Sequence, residues 1–159
     1  MDAEQCEGFM RAAIELAVEN VRSGTGGPFA ALVVRDGRIL ARGTNTVTAG
    51  CDPTAHAEIN AIRNACRTLK SFQLRECDVY TTCEPCPMCL GALYWARPRR
   101  VYYAATRDDA AAAGFDDALI YEELARPAER RTLSMRQLLR DEAQVSLRAW
   151  TEKRDRTEY

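Results

Sequence analysis

One histidine, one glutamate and two cysteines have the types and the spacing of a metal site. His56 is the only histidine in the chain and precedes Glu58 by two residues, whereas Cys86 and Cys89 lie three residues apart. One imidazole and two thiolates form a three-ligand zinc site whose fourth tetrahedral position stays open for water. The sequence therefore predicts one zinc ion per subunit, bound by His56, Cys86 and Cys89.

The spacing of these residues also predicts where the metal lies. Residues two apart on a helix do not face each other, so His56 and Glu58 can serve one metal only if it lies off the end of a helix. Cys86 and Cys89 share one face of a first helical turn, where free N–H groups and the helix dipole favour thiolate. Pro87 suits the first position of that helix. Two helix N-termini are thus expected to converge on one cation.

The combined pattern indicates a reaction class. Zinc can lower the pKa of a bound water to about 7, which makes hydroxide available at neutral pH. Glu58, near the metal but not a ligand, can then carry protons. The pattern H-x-E followed by P-C-x-x-C is the signature of zinc nucleobase deaminases, in which this glutamate is the general acid and base. We therefore predict a hydrolytic deaminase with Glu58 as its catalytic residue.

Cys83 leaves two other metal sites open. With His56, Cys86 and Cys89 it could complete a four-ligand structural zinc site in a non-catalytic domain. The three cysteines also match part of an iron–sulfur ligand set, although no fourth cysteine follows. The three-ligand site is favoured because Cys83 is expected at a strand end. A closed four-ligand site would also leave Glu58 without a function. The roles of Cys83 and Glu84 stay open.

Composition limits the class of protein and its partners. The chain has 159 residues, of which 47% are apolar, and is the size of a single domain over residues 1–159. Its net charge of −1 disfavours nucleic acid as a partner, and its apolar runs are too short to span a membrane. Seven cysteines, an odd number, favour a reducing cytoplasm over disulfide bonds.

Strands and helices are expected to alternate along the chain, as in an α/β layered domain. Asp36-Gly37 lies between two apolar runs and predicts a two-residue hairpin. The predicted strands cover residues 29–35, 38–45, 77–82, 99–104 and 132–137, and the predicted helices cover 4–21, 55–69, 87–95, 117–125 and 141–152. The helix starts near residues 56 and 86 position the predicted ligands.

Beyond the zinc motif, the chain resembles bacterial guanine deaminases, a family of cytidine deaminase-like zinc enzymes. The segments that carry the resemblance are Gly26-Gly27-Pro28-Phe29, residues 52–58 and 83–89, Tyr94-Trp95-Ala96-Arg97-Pro98, Gly114-Phe115-Asp116-Asp117 and the terminal Glu158-Tyr159. The resemblance implies a three-layer cytidine deaminase-like fold with a mixed five-stranded sheet flanked by helices. It also implies hydrolysis of guanine to xanthine and ammonia in purine catabolism or salvage.

The resemblance implies the substrate contacts as well. Phe29 would stack on the purine, Asn45 and Asp117 would hydrogen-bond its polar edge, and Trp95 would wall the pocket. Ala57 and Tyr159 complete the implied substrate-binding set. Plain alternatives exist: core packing for the two aromatic side chains, a strand-end turn for Asn45, a helix N-cap for Asp117 and a frayed end for the tail.

The same resemblance implies a homodimer in which a C-terminal segment of about residues 140–159 crosses to the partner, where Tyr159 closes the pocket. Other substrates remain open, because the zinc motif is shared by deaminases of several bases. Guanosine, cytosine and ammeline-like triazines are the alternatives. Tyr94-Trp95-Ala96-Arg97 favours the free base over guanosine by resemblance.

Overall fold

Four strands form a mixed sheet in the order β2-β1-β3-β4. The computed structural model describes residues 2–159, and the sheet lies in the first of two units, which ends at Asp117. The strands are β1 (Ala30–Arg35), β2 (Arg38–Thr44), β3 (Cys77–Cys83) and β4 (Arg100–Ala105). Strand β1 is antiparallel to β2 and β3, whereas β3 and β4 run parallel. The α/β class and the mixed sheet are therefore confirmed.

Helices cover both faces of this sheet and complete three layers. The first unit contains α1 (Ala3–Arg22), α2 (Val47–Gly50), α3 (Ala57–Leu69), α4 (Pro87–Ala96) and α5 (Arg107–Ala112). Alternate side chains of β1 point to opposite faces. Leu32 and Val34 pack in one buried cluster with Ala13 of α1, whereas Val33 packs in a second cluster with Ala61 of α3. Helices α3 and α4 thus share the face that carries the predicted ligands.

The hairpin between β1 and β2 follows the prediction. Asp36 and Gly37 both have positive φ, at 50° and 71°. These values belong to a tight hairpin turn that glycine adopts easily and aspartate tolerates. The turn places Arg35 opposite Arg38, and a register shift between Val33 and Val34 then brings Ala30 opposite Thr44.

Gly43 determines how closely α3 approaches β2. A Cβ atom at this position would lie 2.2 Å from the carbonyl oxygen of Ala57 and 2.3 Å from the backbone nitrogen of Ala61. Both neighbours are backbone atoms of α3 and have little freedom to move aside. Only glycine lets the helix that carries Glu58 lie directly on the strand.

The second unit, Ala118–Tyr159, consists of α6 (Ala118–Ala125), a single 3₁₀ turn at Ala128–Arg130 and α7 (Arg140–Glu152). Both predicted helices of this region are therefore present. The predicted fifth strand at 132–137 is wrong, since this segment is neither helix nor strand. A strand needs a partner for its backbone groups; here the Thr132 N–H bonds instead to the Glu123 carboxylate, at 2.6 Å.

Within the described residues, no helix combines the length and the apolar character needed to cross a bilayer.

Candidate metal and active site

His56 and Glu58 lie at the start of α3. His56 is the N-cap residue, with extended backbone angles, and its carbonyl accepts the first helical hydrogen bond from Asn60 N at 3.0 Å. Glu58 lies in the first turn and is only 6% exposed. The prediction that this pair occupies a helix N-terminus is confirmed.

Cys86 and Cys89 occupy the equivalent positions on α4. Cys86 is the N-cap residue, Pro87 is the first helical residue, and Cys89 lies in the first turn and is fully buried. The Leu90 N–H closes the first turn on the Cys86 carbonyl at 2.8 Å. The predicted convergence of two helix N-termini is therefore present in the fold.

The side chains of His56, Cys86 and Cys89 meet in one cluster whose ligand atoms all lie within 4.8 Å of one another. His56 Nδ1 lies 3.5 Å from the Cys86 sulfur and 3.6 Å from the Cys89 sulfur. A tetrahedral zinc ion, with bonds of about 2.3 Å to sulfur and about 2.0 Å to nitrogen, separates such ligands by about 3.5 Å. The spacing of the cluster therefore fits zinc, with Nδ1 as the ligand atom of His56.

Hydrogen bonds among these side chains polarise the cluster. The bond from the Cys89 thiol lowers the pKa of Cys86 to about 4, and the same bond raises the pKa of Cys89. The Cys86 sulfur in turn raises the pKa of His56 by hydrogen bonding to its ring. The lowered pKa favours the thiolate form of Cys86 at neutral pH even without a metal ion, and a bound divalent cation would deprotonate Cys89 as well.

Glu58 lies beside the cluster and is oriented by a hydrogen bond from the sheet. Thr81 Oγ1 donates to Glu58 Oε1 at 3.0 Å, and Oε2 lies 3.4 Å from Cys89 Sγ. Burial raises the pKa of Glu58, which brings its carboxyl closer to the range useful for proton transfer near neutral pH. Glu58 is not among the three side chains that could hold a metal ion, and its role as proton carrier stays a prediction.

Thr81 is a functional candidate that the sequence reasoning missed. It lies on β3, is 1% exposed, and faces the α3 side of the sheet together with Val79. A signal was available, because strand alternation over 77–82 places a hydroxyl at 81 among side chains of the buried face.

Cys83 does not belong to the cluster. Among the described residues, the group that could hold a metal ion consists of His56, Cys86 and Cys89. The Cys83 thiol donates to the Thr106 carbonyl at 3.5 Å, and burial raises its pKa to about 11. Glu84 also has a structural contact, since its Oε2 accepts a hydrogen bond from the Arg107 N–H at 3.2 Å. The geometry therefore favours three protein ligands over four.

The predicted substrate contacts Phe29 and Asn45 are neighbours where β1 begins and β2 ends. The Phe29 ring meets Phe115 edge-on, with centroids 4.9 Å apart, and its carbonyl accepts a hydrogen bond from Asn45 N at 3.0 Å. Asn45 Oδ1 accepts a hydrogen bond from Val47 N at 3.2 Å. The strand-end turn, which was the alternative to a substrate contact for Asn45, is therefore also present. Among residues 2–159, Asn45 Nδ2 donates no hydrogen bond to a protein group.

A buried asparagine on α1, also missed from the sequence, holds the loop beside Asn45. Asn20 Nδ2 donates to the carbonyls of Gly27 and Asn45, at 2.9 Å each. Gly26 permits the approach, because a Cβ there would lie 2.1 Å from the Asn45 carbonyl oxygen. The loop and the strand end are thereby fixed to each other.

The other predicted contacts lie in different settings. Ala57 is buried at the start of α3, and Asp117 is half-buried, with a pKa raised first by burial and then by the charge of Cys86. Trp95 lies near the far end of α4 and is 64% exposed. Tyr159 belongs to the second unit, where its ring centroid lies 6.4 Å from that of Trp150. The fold thus places Ala57 and Asp117 near the cluster but does not bring Trp95 to it, and the substrate roles of all four stay predictions.

Comparison with known proteins identifies the class. Residues 3–105 match the cytidine and deoxycytidylate deaminase zinc-binding region, and the chain belongs to this family. Within it, the chain is 53% identical to the guanine deaminase of Bacillus subtilis over 96% of its own length and 98% of that protein. The resemblance stated from the sequence motifs is therefore confirmed.

The chain is also similar to solved guanine deaminase structures and, over part of its length, to an adenosine deaminase. The X-ray structure of Bacillus subtilis guanine deaminase superposes with a TM-score of 0.95 at 52% identity, covering 100% of this chain and 99% of that one. Guanine deaminase from Nitrosomonas europaea gives 0.66 at 37% identity, over 76% and 66%. A tRNA-specific adenosine deaminase of Agrobacterium fabrum is 49% identical, but over only 49% of this chain and 51% of its own length.

Proposed function

We propose that this chain is a zinc-dependent hydrolase that converts guanine and water to xanthine and ammonia. The observation that carries the proposal is the match to a guanine deaminase along nearly all of both chains. The match to the adenosine deaminase covers about half of each chain and therefore supports the shared zinc chemistry. The cluster of His56, Cys86 and Cys89 beside buried Glu58 supplies the groups that hydrolysis requires.

The proton steps are assigned to Glu58. When bound by His56, Cys86 and Cys89, zinc would supply hydroxide from water at neutral pH. Glu58 accepts a proton from the attacking water and donates one to the ring nitrogen next to the carbon that carries the amino group. It then delivers the remaining proton to the leaving amine, and ammonia departs. The raised pKa of Glu58 suits both the acceptance and the release of a proton.

Recognition of the base is assigned to side chains around the cluster. Asn45 Oδ1 already accepts a backbone hydrogen bond, so its amide N–H groups remain to donate to the guanine carbonyl. The Asp117 carboxylate would accept from the ring N–H and the amino group, and Phe29, held by Phe115, would stack on the ring. A site built to satisfy those donors discriminates strongly against bases that lack them. Ala57 lines the pocket at the helix start, whereas Trp95, which lies near the far end of α4, is assigned to the pocket by the resemblance alone.

We also propose a homodimer with one zinc ion per subunit, located in the cytoplasm and without a nucleic acid partner. Both units expose apolar side chains that a second copy would cover, a pattern typical of interaction surfaces. In the first unit these are Ile14, Val18 and Val21 of α1 with Val101 and Tyr103 of β4; in the second they are Val145, Leu147 and Trp150 of α7. The segment of about 140–159 would cross, so that Tyr159 closes the partner's pocket.

A substrate panel tests the function. Ammonia release is measured from guanine, guanosine, adenine, adenosine, cytosine and ammeline, together with the zinc content of the same protein. We expect release from guanine above all others, at about one zinc per chain. If ammonia is released faster from another compound, that compound and not guanine is the substrate. A zinc-loaded protein that is inactive on every compound of the panel would contradict the proposed function.

Subunit mixing tests the crossing tail. A Glu58→Gln chain and a chain lacking Tyr159 are coexpressed, each being impaired by itself. If Tyr159 acts on the partner's pocket, the mixed dimer contains one site with both an intact Glu58 and an intact tail, and activity returns. If the tail covers its own subunit, coexpression restores nothing. Molar mass in solution tests the dimer independently, and a monomeric mass would contradict it.

A further inference from the structure

A pocket outside the metal cluster lies over the open edge of the sheet. Strand β2 is one of the two edge strands, with no neighbour on its outer side among the described residues. The pocket has a volume of about 510 Å³ and is lined by residues of β2 and α3, with one leucine of α1. The lining contains three arginines, Arg42, Arg63 and Arg67, and no carboxylate among the described residues.

The three arginines belong to elements on both faces of the sheet. Arg42 pairs across the hairpin with Leu32, whose side chain packs on the α1 face, so Arg42 points to that face as well. Arg63 and Arg67 lie one turn apart on α3, a spacing at which like charges repel. Arg63 has a partial counter-charge in Asp52, at 3.8 Å. Within residues 2–159, neither Arg42 nor Arg67 forms an ion pair.

Two asparagines of α3 cover the acceptors of the strand edge. Asn60 Nδ2 donates to the Thr44 carbonyl, and Asn64 Nδ2 donates to the Arg42 carbonyl, at 2.9 Å each. The N–H groups of Arg42 and Thr44 point to the same outer side as these carbonyls. The edge therefore presents mainly donors, next to side chains that carry uncompensated positive charge.

We propose that this pocket binds a phosphate group, either as inorganic phosphate or as the phosphate of a nucleotide. Guanidinium groups and backbone N–H donors match the acceptor oxygens of phosphate, and arginine forms paired hydrogen bonds with it. The volume exceeds what one phosphate needs and lies in the range of small-ligand pockets. Thr46, which also lines the pocket, follows Asn45 directly and accepts from Asn60 Nδ2 at 3.0 Å. A bound anion would therefore lie beside a residue assigned to substrate recognition.

Binding measured on the zinc-loaded protein tests this site without reference to turnover. Calorimetric titrations at low salt use inorganic phosphate, guanosine 5′-monophosphate and guanosine, in the wild type and in Arg42→Ala and Arg67→Ala. The matched control is Arg38→Ala, which removes an exposed arginine from the other end of β2. We expect phosphate binding to weaken about tenfold or more in each pocket variant and to be unchanged in the control.

If the monophosphate binds more tightly than inorganic phosphate, and the pocket variants do not change guanosine binding, the ligand of this pocket is a nucleotide. If the monophosphate and inorganic phosphate bind equally tightly, the ligand is the free anion. Equal phosphate affinity in all four proteins overturns the proposal, because the anion would then lie elsewhere, for example at the metal. The absence of phosphate binding up to about 10 mM, which is a very weak affinity on the usual scale, overturns it as well.

Discussion

Thr81 Oγ1 donates a hydrogen bond of 3.0 Å to Glu58 Oε1, and this contact joins the centre of the sheet to the proposed proton carrier. Both side chains are buried, so water competes little for the bond. The other carboxylate oxygen, Oε2, faces Cys89 Sγ at 3.4 Å. One oxygen of Glu58 is thus anchored to the sheet while the other faces the metal ligands, and Thr81 acts as a positioning residue.

Replacing Thr81 by valine tests this relationship. Valine keeps the branched shape but removes the donor, and a hydrogen bond to a charged group contributes about 1.5–3 kcal/mol. We expect kcat for guanine to fall by about tenfold or more, with little change in KM, because Thr81 is buried and acts through Glu58. Steady-state ammonia release provides both constants.

Thr81→Ser is the matched control for that experiment, since it restores the hydroxyl and lacks only a methyl group. Its kcat should return close to that of the wild type. If serine and valine lower kcat equally, packing rather than the hydrogen bond is what Thr81 contributes. Zinc content should stay constant in both variants.

Glu58→Gln separates proton transfer from metal binding. Glutamine has nearly the same shape but cannot carry a proton, and general acid–base catalysis typically contributes about 10² to 10⁴ in rate. We expect turnover to fall by at least this factor while zinc remains bound at the wild-type level. Loss of zinc along with activity would instead make Glu58 a ligand.

Cys83→Ser and Cys86→Ser form a matched pair that counts the ligands. Cys86 belongs to the three-residue cluster, whereas the Cys83 thiol donates to the Thr106 carbonyl, a bond that serine can replace. We expect Cys86→Ser to lose zinc and activity and Cys83→Ser to retain both. Metal analysis after dialysis measures the outcome. A Cys83→Ser protein that loses its zinc would point to a closed four-ligand site.

Gly43→Ala tests whether the approach of α3 to β2 positions the site. The added Cβ would collide with backbone atoms of α3, so the helix must shift, and overpacking of this kind costs about 1–3 kcal/mol. We expect a lower free energy of unfolding and reduced activity, since α3 carries His56 and Glu58.

Gly8→Ala is the control for this substitution. Gly8 lies on α1, and nothing stands within 4 Å of its added Cβ, so alanine should raise the free energy of unfolding by about 0.5–1 kcal/mol. If Gly43→Ala behaves like Gly8→Ala, the close approach does not constrain the helix.

The residue types and their spacing were enough to predict the cluster of His56, Cys86 and Cys89 and the helix starts that bring these side chains together. Ligand chemistry depends on side-chain identity, and the spacings at 56–58 and 86–89 are local, so helix geometry acts on them without long-range information. The same holds for the turn at Asp36-Gly37, whose backbone angles depend on two residues. Four of the five predicted strands are present for a related reason: each has a partner that completes its backbone hydrogen bonds.

Other features depended on contacts between residues far apart in the chain. Thr81 reaches Glu58 across 23 positions and Asn20 reaches Asn45 across 25, and no local pattern encodes either distance. The segment at 132–137 has alternating apolar residues but no strand beside it, and the N–H of Thr132 bonds to the Glu123 carboxylate instead. The pocket lined by Arg42, Arg63 and Arg67 forms only because β2 and α3 pack together. Local chemistry thus determined which residues could act, and tertiary packing decided which of them meet.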